Sequence, residues 1–184
     1  MDYKHHNWEH YHYRFGLAGE GQADVIERYL RRQGGRVLDM GCGPRGRRVT
    51  SLAEHCNLLI AADKSAEALN MARIQAATAT SVCFVATDAF SLCVADEAMD
   101  HIVALGLFAY VPLSETTRLL SEFHRVCRTG GHPMLTNSVG HDIGHYRQSA
   151  QGVGFHLLEE HEGYCPAASG DVKRRYLVVF IKKS

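Results

Sequence analysis

Apolar residues along this chain fall into two alternating rhythms, short unbroken runs and stretches spaced three and four residues apart, which predict strands and helices in turn. Gln22 to Arg32 places Ala23, Val25, Ile26, Tyr29 and Leu30 on one helical face and ends at Gly34-Gly35. Arg36 to Met40 reads as a buried strand that runs into a glycine-rich turn from Gly41 to Gly46, after which Val49 to Cys56 returns to helical spacing. Asn57 to Ala62 is a second strand ending in Asp63, and Ser65 is suited to cap a helix reaching Gln75. Val82 to Ala86 and Asp100 to Leu105 follow as strands three and four. Ser114 to Cys127 has Leu119, Leu120, Phe123 and Val126 on one helical side, and Gly130-Gly131 turns the chain into a fifth strand, His132 to Thr136. Gly140 to Gln151 is a further helix, and Phe155 to Glu162 and Arg175 to Lys182 are two strands with no helix between them.

Strands that alternate with helices at this spacing form right-handed crossovers and a parallel sheet covered on both faces. The last two strands break the alternation and predict an antiparallel hairpin at or near the sheet edge. The expected fold is α/β: a doubly wound, mostly parallel seven-stranded sheet with an antiparallel C-terminal strand, forming one domain over residues 21–184 behind an N-terminal segment, 1–20. Ligands of such sheets bind beyond the carboxyl ends of the strands, where the strand order reverses, so Gly41, Asp63, Asp88 and Leu105 should converge there.

Composition narrows the picture modestly. The 184 residues suit one domain, and 46% hydrophobic with 22% charged residues excludes collagen-like, coiled-coil and disordered classes. Twenty basic and twenty acidic residues leave a formal net charge of zero, so no global field holds a long nucleic acid. The uncharged run from Ile102 to Thr117 is too short for a membrane span and is broken by Pro112. Met1 to Trp8 has no apolar stretch behind a basic start, so no secretory signal is expected and the cytoplasm is the expected location. Six cysteines form no Cys-x-x-Cys pair, and buried thiols are expected rather than disulfides or zinc ligands.

The chemistry gathers at the glycine turn. Glycines after a first strand let a ligand press against bare backbone, and Gly41-x-Gly43-x-x-Gly46 satisfies the dinucleotide fingerprint, with Asp63 twenty residues beyond Gly43 to accept from ribose hydroxyls. A nicotinamide-dependent oxidoreductase is therefore one reading. Asp39 argues against it, because a carboxylate beside the turn repels a pyrophosphate and suits a cationic ligand. S-adenosylmethionine carries a sulfonium and an ammonium and no phosphate, and Asp88 adds an acceptor where an adenine amino group would lie.

Val37-Leu-Asp-Met-Gly-Cys-Gly-Pro44 resembles the first motif of the class I S-adenosylmethionine-dependent methyltransferases, whose fold is Rossmann-like. Further similarities follow in order: Ala61 to Leu69 to the second acidic motif, Val82 to Ala89 to the third, Met99 to Gly106 to the fourth-strand motif, and Phe123 to Gly131 to the helix end before strand five. The resemblance implies that Gly41, Cys42 and Gly43 pass under the cofactor and that Asp39 faces its methionine end. It implies that Asp63 holds the ribose hydroxyls, that Lys64 lies along the adenine, and that Asp88 and the Ala89 amide meet the adenine edge. Leu105 and Gly106 would border the transferred methyl, and S-adenosylhomocysteine would be the product. The family's third glycine is displaced here: Arg45 stands in its place and glycine follows at Gly46. Arg45, Arg47 and Arg48 crowd a helix start whose dipole disfavours cations, and are expected either to reach an anion or to lie in solvent.

The acceptor is less legible. The Asn/Asp-Pro-Pro-Tyr/Phe motif of amino-methyltransferases and the Pro-Cys motif of cytosine methyltransferases are both absent, and the apolar border Leu105-Gly-Leu-Phe-Ala-Tyr110 suits a small organic acceptor. The ring-rich segment Tyr3 to Tyr13 is read as a lid over the site rather than a metal centre. His141 and His145, four apart, are candidate general bases beside the alternative of a solvated pair, and Tyr110 is a further candidate. No inserted lid domain fits between strand five and the final hairpin, so the acceptor pocket is open or completed by a second subunit in a homodimer. A catalytically inactive methyltransferase-like binding or regulatory protein is the alternative to an enzyme moving methyl groups to oxygen or nitrogen.

Overall fold

The computed structural model describes residues 22–44, 46–138, 143–166 and 172–184. Its helices are α1 (Gln22–Gln33), α2 (Gly46–Ala53), α3 (Ala66–Gln75), α4 (Thr116–Val126) and α5 (Ile143–Gly152). Its strands are β1 (Arg36–Met40), β2 (Leu58–Asp63), β3 (Val82–Ala86), β4 (Met99–Leu105), β5 (Cys127–Ser138), β6 (Phe155–Pro166) and β7 (Val172–Lys182). They form one seven-stranded sheet in the order β3-β2-β1-β4-β5-β7-β6. The pairs among β1 to β5 are parallel, whereas β7 runs antiparallel to both β5 and β6. The reversed strand is thus inserted one place in from the edge, which β6 occupies.

Alternation along the strands divides the core between two faces. Val37, Leu59, Ala61, Val103 and Met134 pack under Val25, Ile26 and Leu30 of α1, Val49 and Leu52 of α2, and Leu69 of α3. Leu38, Met40, Ile102, Ala104 and Leu135 pack under Leu119, Leu120 and Phe123 of α4 and Tyr146 and Ala150 of α5. Ser65 caps α3 as expected, its Oγ accepting from the Ala68 amide at 3.1 Å.

Three expectations need correction. Gly130-Gly131 makes no turn ahead of a strand; it lies inside β5, whose pairing with β4 jumps from Met99↔Cys127 to His101↔His132, so the intervening residues bulge. Gly130 has φ +77°, and a Cβ on Gly131 would sit 2.6 Å from Cys127 Sγ and 2.8 Å from the Asp100 carbonyl, so the bulge needs bare backbone at both positions. The hairpin strands run past Glu162 and begin ahead of Arg175, because β6 and β7 pair as far as Pro166↔Val172. Of the cysteines, Cys42 and Cys127 are buried, but Cys83, on the edge strand β3, and Cys93, in the loop after it, are exposed. The aromatic segment 1–20 and His141 lie outside the described residues.

Candidate functional site

The strand order reverses between β1 and β4, and the chain leaves both strands through glycines with left-handed backbones: Gly41 (φ +74°) and Gly43 (φ +60°) after β1, Gly106 (φ +80°) after β4. The two exits touch, since a Cβ on Gly41 would lie 3.3 Å from Leu107 Cδ1. At Gly43 and Gly106 an added Cβ would meet nothing within 4 Å among the described residues. Bare backbone therefore faces open space on both sides of the switch point, where a flat ligand finds room.

The tip of β2 holds the turn. The Ala62 carbonyl accepts from the amides of Gly41 (2.8 Å) and Cys42 (3.0 Å), and Asp63 Oδ2 accepts from the Gly43 amide at 2.9 Å. Asp63 Oδ1 accepts from the Ser65 amide at 2.9 Å, so this carboxylate joins the turn to the start of α3. A carboxylate offers about four acceptor sites, which leaves capacity for hydroxyl donors.

Asp39 is fully buried on the α2 side of β1, and its partner is Arg48, itself 7% exposed. Arg48 Nε donates to Asp39 Oδ2 at 3.2 Å, Nη2 lies 3.2 Å from Oδ1, and the same Nη2 donates to the Gly41 carbonyl at 2.9 Å. The expectation that this arginine lies in solvent or reaches an external anion is corrected: the anion is Asp39. Burial raises the Asp39 carboxyl above the usual carboxylate range, Arg48 opposes that shift, and Asp63 adds to it. Oδ1 accepts no hydrogen bond among the described residues. Cys42 offers the site only backbone: its thiol is buried in the core, donates to the Gly43 carbonyl at 3.4 Å, and is pushed above its ordinary range, first by burial and then by Asp39.

Lys64 and Asp88 are exposed beside this hollow, Ala89 is buried and Leu105 half-buried. Asp88 Oδ1 accepts from the Phe90 amide at 2.9 Å, and the Thr87 amide donates to the Asp63 carbonyl at 3.0 Å, which ties the tips of β2 and β3 together. Gly106 donates to Thr136 Oγ1 at 2.8 Å, a contact across β4 and β5 that sequence reasoning missed because a lone threonine in an apolar strand carries no signal. Arg48 was equally invisible as a site residue, although a cation in the first turn of a helix facing a strand-end acid was a usable clue. His145 points elsewhere: its Nε2 lies 3.0 Å from the Leu113 carbonyl and 3.5 Å from Ser149 Oγ, which fastens α5 to the 3-10 turn Leu113–Glu115. The third glycine also has a different task. A Cβ on Gly46 would fall 2.3 Å from Gln75 Cβ and 2.7 Å from the Ala72 carbonyl, so Gly46 lets α2 close onto α3.

The glycine exits at Gly43 and Gly106, the acidic tip of β2 and the switch point between β1 and β4 are the features of a Rossmann-like nucleoside-binding fold. The sequence profile of the Methyltransferase domain family matches residues 37–131, more than half of the chain. The chain belongs to that family and is a class I S-adenosylmethionine-dependent methyltransferase. It is 28% identical over 145 residues to a phosphatidylethanolamine N-methyltransferase of Cereibacter sphaeroides, covering 74% of this chain and 67% of that protein. Among solved structures it is similar to a TehB-like S-adenosylmethionine-dependent methyltransferase from Corynebacterium glutamicum, with TM-score 0.70, 20% identity, and 89% and 88% of the two chains covered. A Methanosarcina mazei S-adenosylmethionine-dependent methyltransferase matches with TM-score 0.74, 17% identity, and 86% and 97% covered.

Proposed function

We propose that this enzyme moves a methyl group from S-adenosylmethionine to an oxygen or nitrogen of a small-molecule acceptor held over the carboxyl ends of β4 and β5. The observation that carries the reading is the pair of open glycines, Gly43 and Gly106, flanking the switch point. In this reading Gly41, Cys42 (through its backbone), Gly43, Asp63, Lys64, Asp88, Ala89 and Leu105 form the cofactor surface, with the buried Asp39 acting from beneath the turn. S-adenosylmethionine, when bound, supplies a methyl group on a sulfonium, a good leaving group that leaves the protein chiefly an alignment task. The turn's backbone orients, the tip of β2 fixes the ribose end, and the half-buried Leu107 and Tyr110, backed by the core residue Phe108, form a rim that excludes water from the acceptor.

An amine is the first acceptor class to test, because the relative from Cereibacter sphaeroides is named for methylation at nitrogen. The reading is of a dissolved acceptor in the cytoplasm; no helix among the described residues is long and apolar enough to cross a membrane. Calorimetry with S-adenosylhomocysteine tests the cofactor half. Asp63→Ala should bind it about ten- to a hundredfold more weakly than wild type, the range expected for losing hydrogen bonds to a carboxylate. Unchanged affinity removes Asp63 from the site. A panel of primary amines, phosphatidylethanolamine vesicles and phenols, followed by release of S-adenosylhomocysteine, tests the acceptor half, and turnover on none of them in a protein that binds cofactor favours a binding or regulatory role.

A further inference from the structure

We infer that Arg48 is a positioning residue for the cofactor site: from within the fold it pairs with and orients the Asp39 carboxylate and anchors the Gly41 carbonyl, so that the acid beneath the glycine turn and the turn itself are set before the cofactor arrives. The inference rests on the cofactor reading given above. Arg48 stands in the first turn of α2, where the helix dipole opposes a cation, and it is nearly buried. A guanidinium in that position needs a compensating anion, and Asp39 is the acid within reach, at 3.2 Å from both Nε and Nη2.

The geometry assigns the two ends of the fork different tasks. Nε and Nη2 face the two oxygens of Asp39, which fixes the plane of the carboxylate. Nη2 also holds the Gly41 carbonyl at 2.9 Å, while the Gly41 amide is held from the other side by Ala62. The peptide groups flanking Gly41 are thereby fixed on both sides. The cofactor then finds a turn whose shape is set before binding, so no ordering cost falls on the binding step.

The surroundings of Asp39 make the charge question testable. From the turn it faces the Cys42 thiol, from β2 the Asp63 carboxylate, from α2 Arg48, and from β4 the apolar Val103 in register. Arg48 is the cation in that set; without it, burial and Asp63 both favour the protonated acid. A protonated Asp39 loses its attraction for the ammonium at the methionine end of the ligand.

The experiment is calorimetric titration of S-adenosylhomocysteine into wild type, Arg48→Met, Arg48→Lys and Asp39→Asn between pH 6 and 8.5, with wild type run in parallel so that titration of the ligand's own amine cancels. Arg48→Met should bind about ten- to a hundredfold more weakly at pH 6.5 and recover part of that loss as the pH rises. Its loss of affinity on acidification should set in at a higher pH than that of wild type. Arg48→Lys, which keeps the charge and gives up the fork, should keep the wild-type pH profile at a lower affinity, and it decides the question if the methionine variant does not fold. Asp39→Asn should be weak at every pH. An affinity for Arg48→Met equal to wild type, or a loss that is uniform across the pH range, overturns the inference while leaving the cofactor reading intact. For the lysine variant, a profile shifted like a charge loss overturns it too. If wild type itself does not bind S-adenosylhomocysteine, the cofactor reading falls and takes this inference with it.

Discussion

Replacing His101 with phenylalanine should make the protein more resistant to mild acid. His101 on β4 and His132 on β5 are register partners with rings stacked at 5.4 Å and 21°, and Tyr29 of α1 closes over His132 at 5.1 Å. Neither ring nitrogen of His101 makes a hydrogen bond of ordinary geometry among the described residues. Burial first, then the neighbouring His132, lowers the His101 imidazole from its usual 6.5 to about 4; Asp100 and a backbone contact with Gly34 pull the other way, and Arg128 adds to the lowering. His132 is lowered as well, chiefly by burial.

The sign follows from linkage. Between pH 6.5 and about 4 the unfolded chain holds a proton on residue 101 that the folded chain does not, so stability falls as the pH drops through that window. Above it both states are neutral and nothing is lost. The proton costs the fold about 2 kcal/mol at pH 5 and about 3 kcal/mol once the pH is below both values. For a chain of this size that is a fall in Tm of roughly 4–8 °C at pH 5 from this residue alone. Urea unfolding of wild type and His101→Phe at pH 8 and pH 5 measures the difference. The two proteins should differ by about 2 kcal/mol more at pH 5 than at pH 8, in favour of the variant. Curves that keep a constant separation between the two pH values would show that burial does not hold this ring neutral. Carboxylates are common to both proteins and cancel in their difference; Glu159, held by His161, Arg28 and Tyr29 against its own desolvation, is lowered to about 2 and loses its contribution only as the pH falls below the ordinary glutamate range.

Gly46→Val should destabilise the chain by about 2–3 kcal/mol, read as a fall in urea midpoint, because the new side chain meets Gln75 and the backbone of α3 where no flexible atom can yield. An unchanged midpoint would mean that α2 and α3 can separate freely. Lys182→Met should cost about 2–4 kcal/mol, since the ammonium donates to the carbonyls of His124 (2.9 Å) and Cys127 (3.0 Å) at the end of α4 and to Glu97 (3.0 Å). A loss below about 0.5 kcal/mol by chemical denaturation would show that water replaces the lysine without penalty.

The alternation of apolar runs and helical spacing made most elements legible, because strands buried on both faces and helices buried on one leave patterns that need no tertiary knowledge. β3 falls at Val82–Ala86 as read, and α1 differs by a single residue. Where several chain segments cooperate, the sequence is silent. The bulge in β5 depends on contacts of Gly131 with Cys127 and Asp100, and two adjacent glycines look alike in a turn and in a bulge. Arg48 illustrates the same limit in the site: with Arg45 and Arg47 it read as one of three arginines that either reach an anion or lie in solvent, and its packing against β1 shows Asp39 as its partner. Asp63 was legible as a strand-end acid, whereas its grip on the Gly43 amide required the two loops to be in contact.

Because β7 lies between β5 and β6, the sheet cannot be completed in the order in which it is synthesised. β6 has no neighbour in the sheet other than β7, and β5 stands as a bare margin until Val172–Lys182 joins both. A chain cut short ahead of residue 172 would therefore keep the strands that carry the site yet offer other chains an unpaired edge along β5.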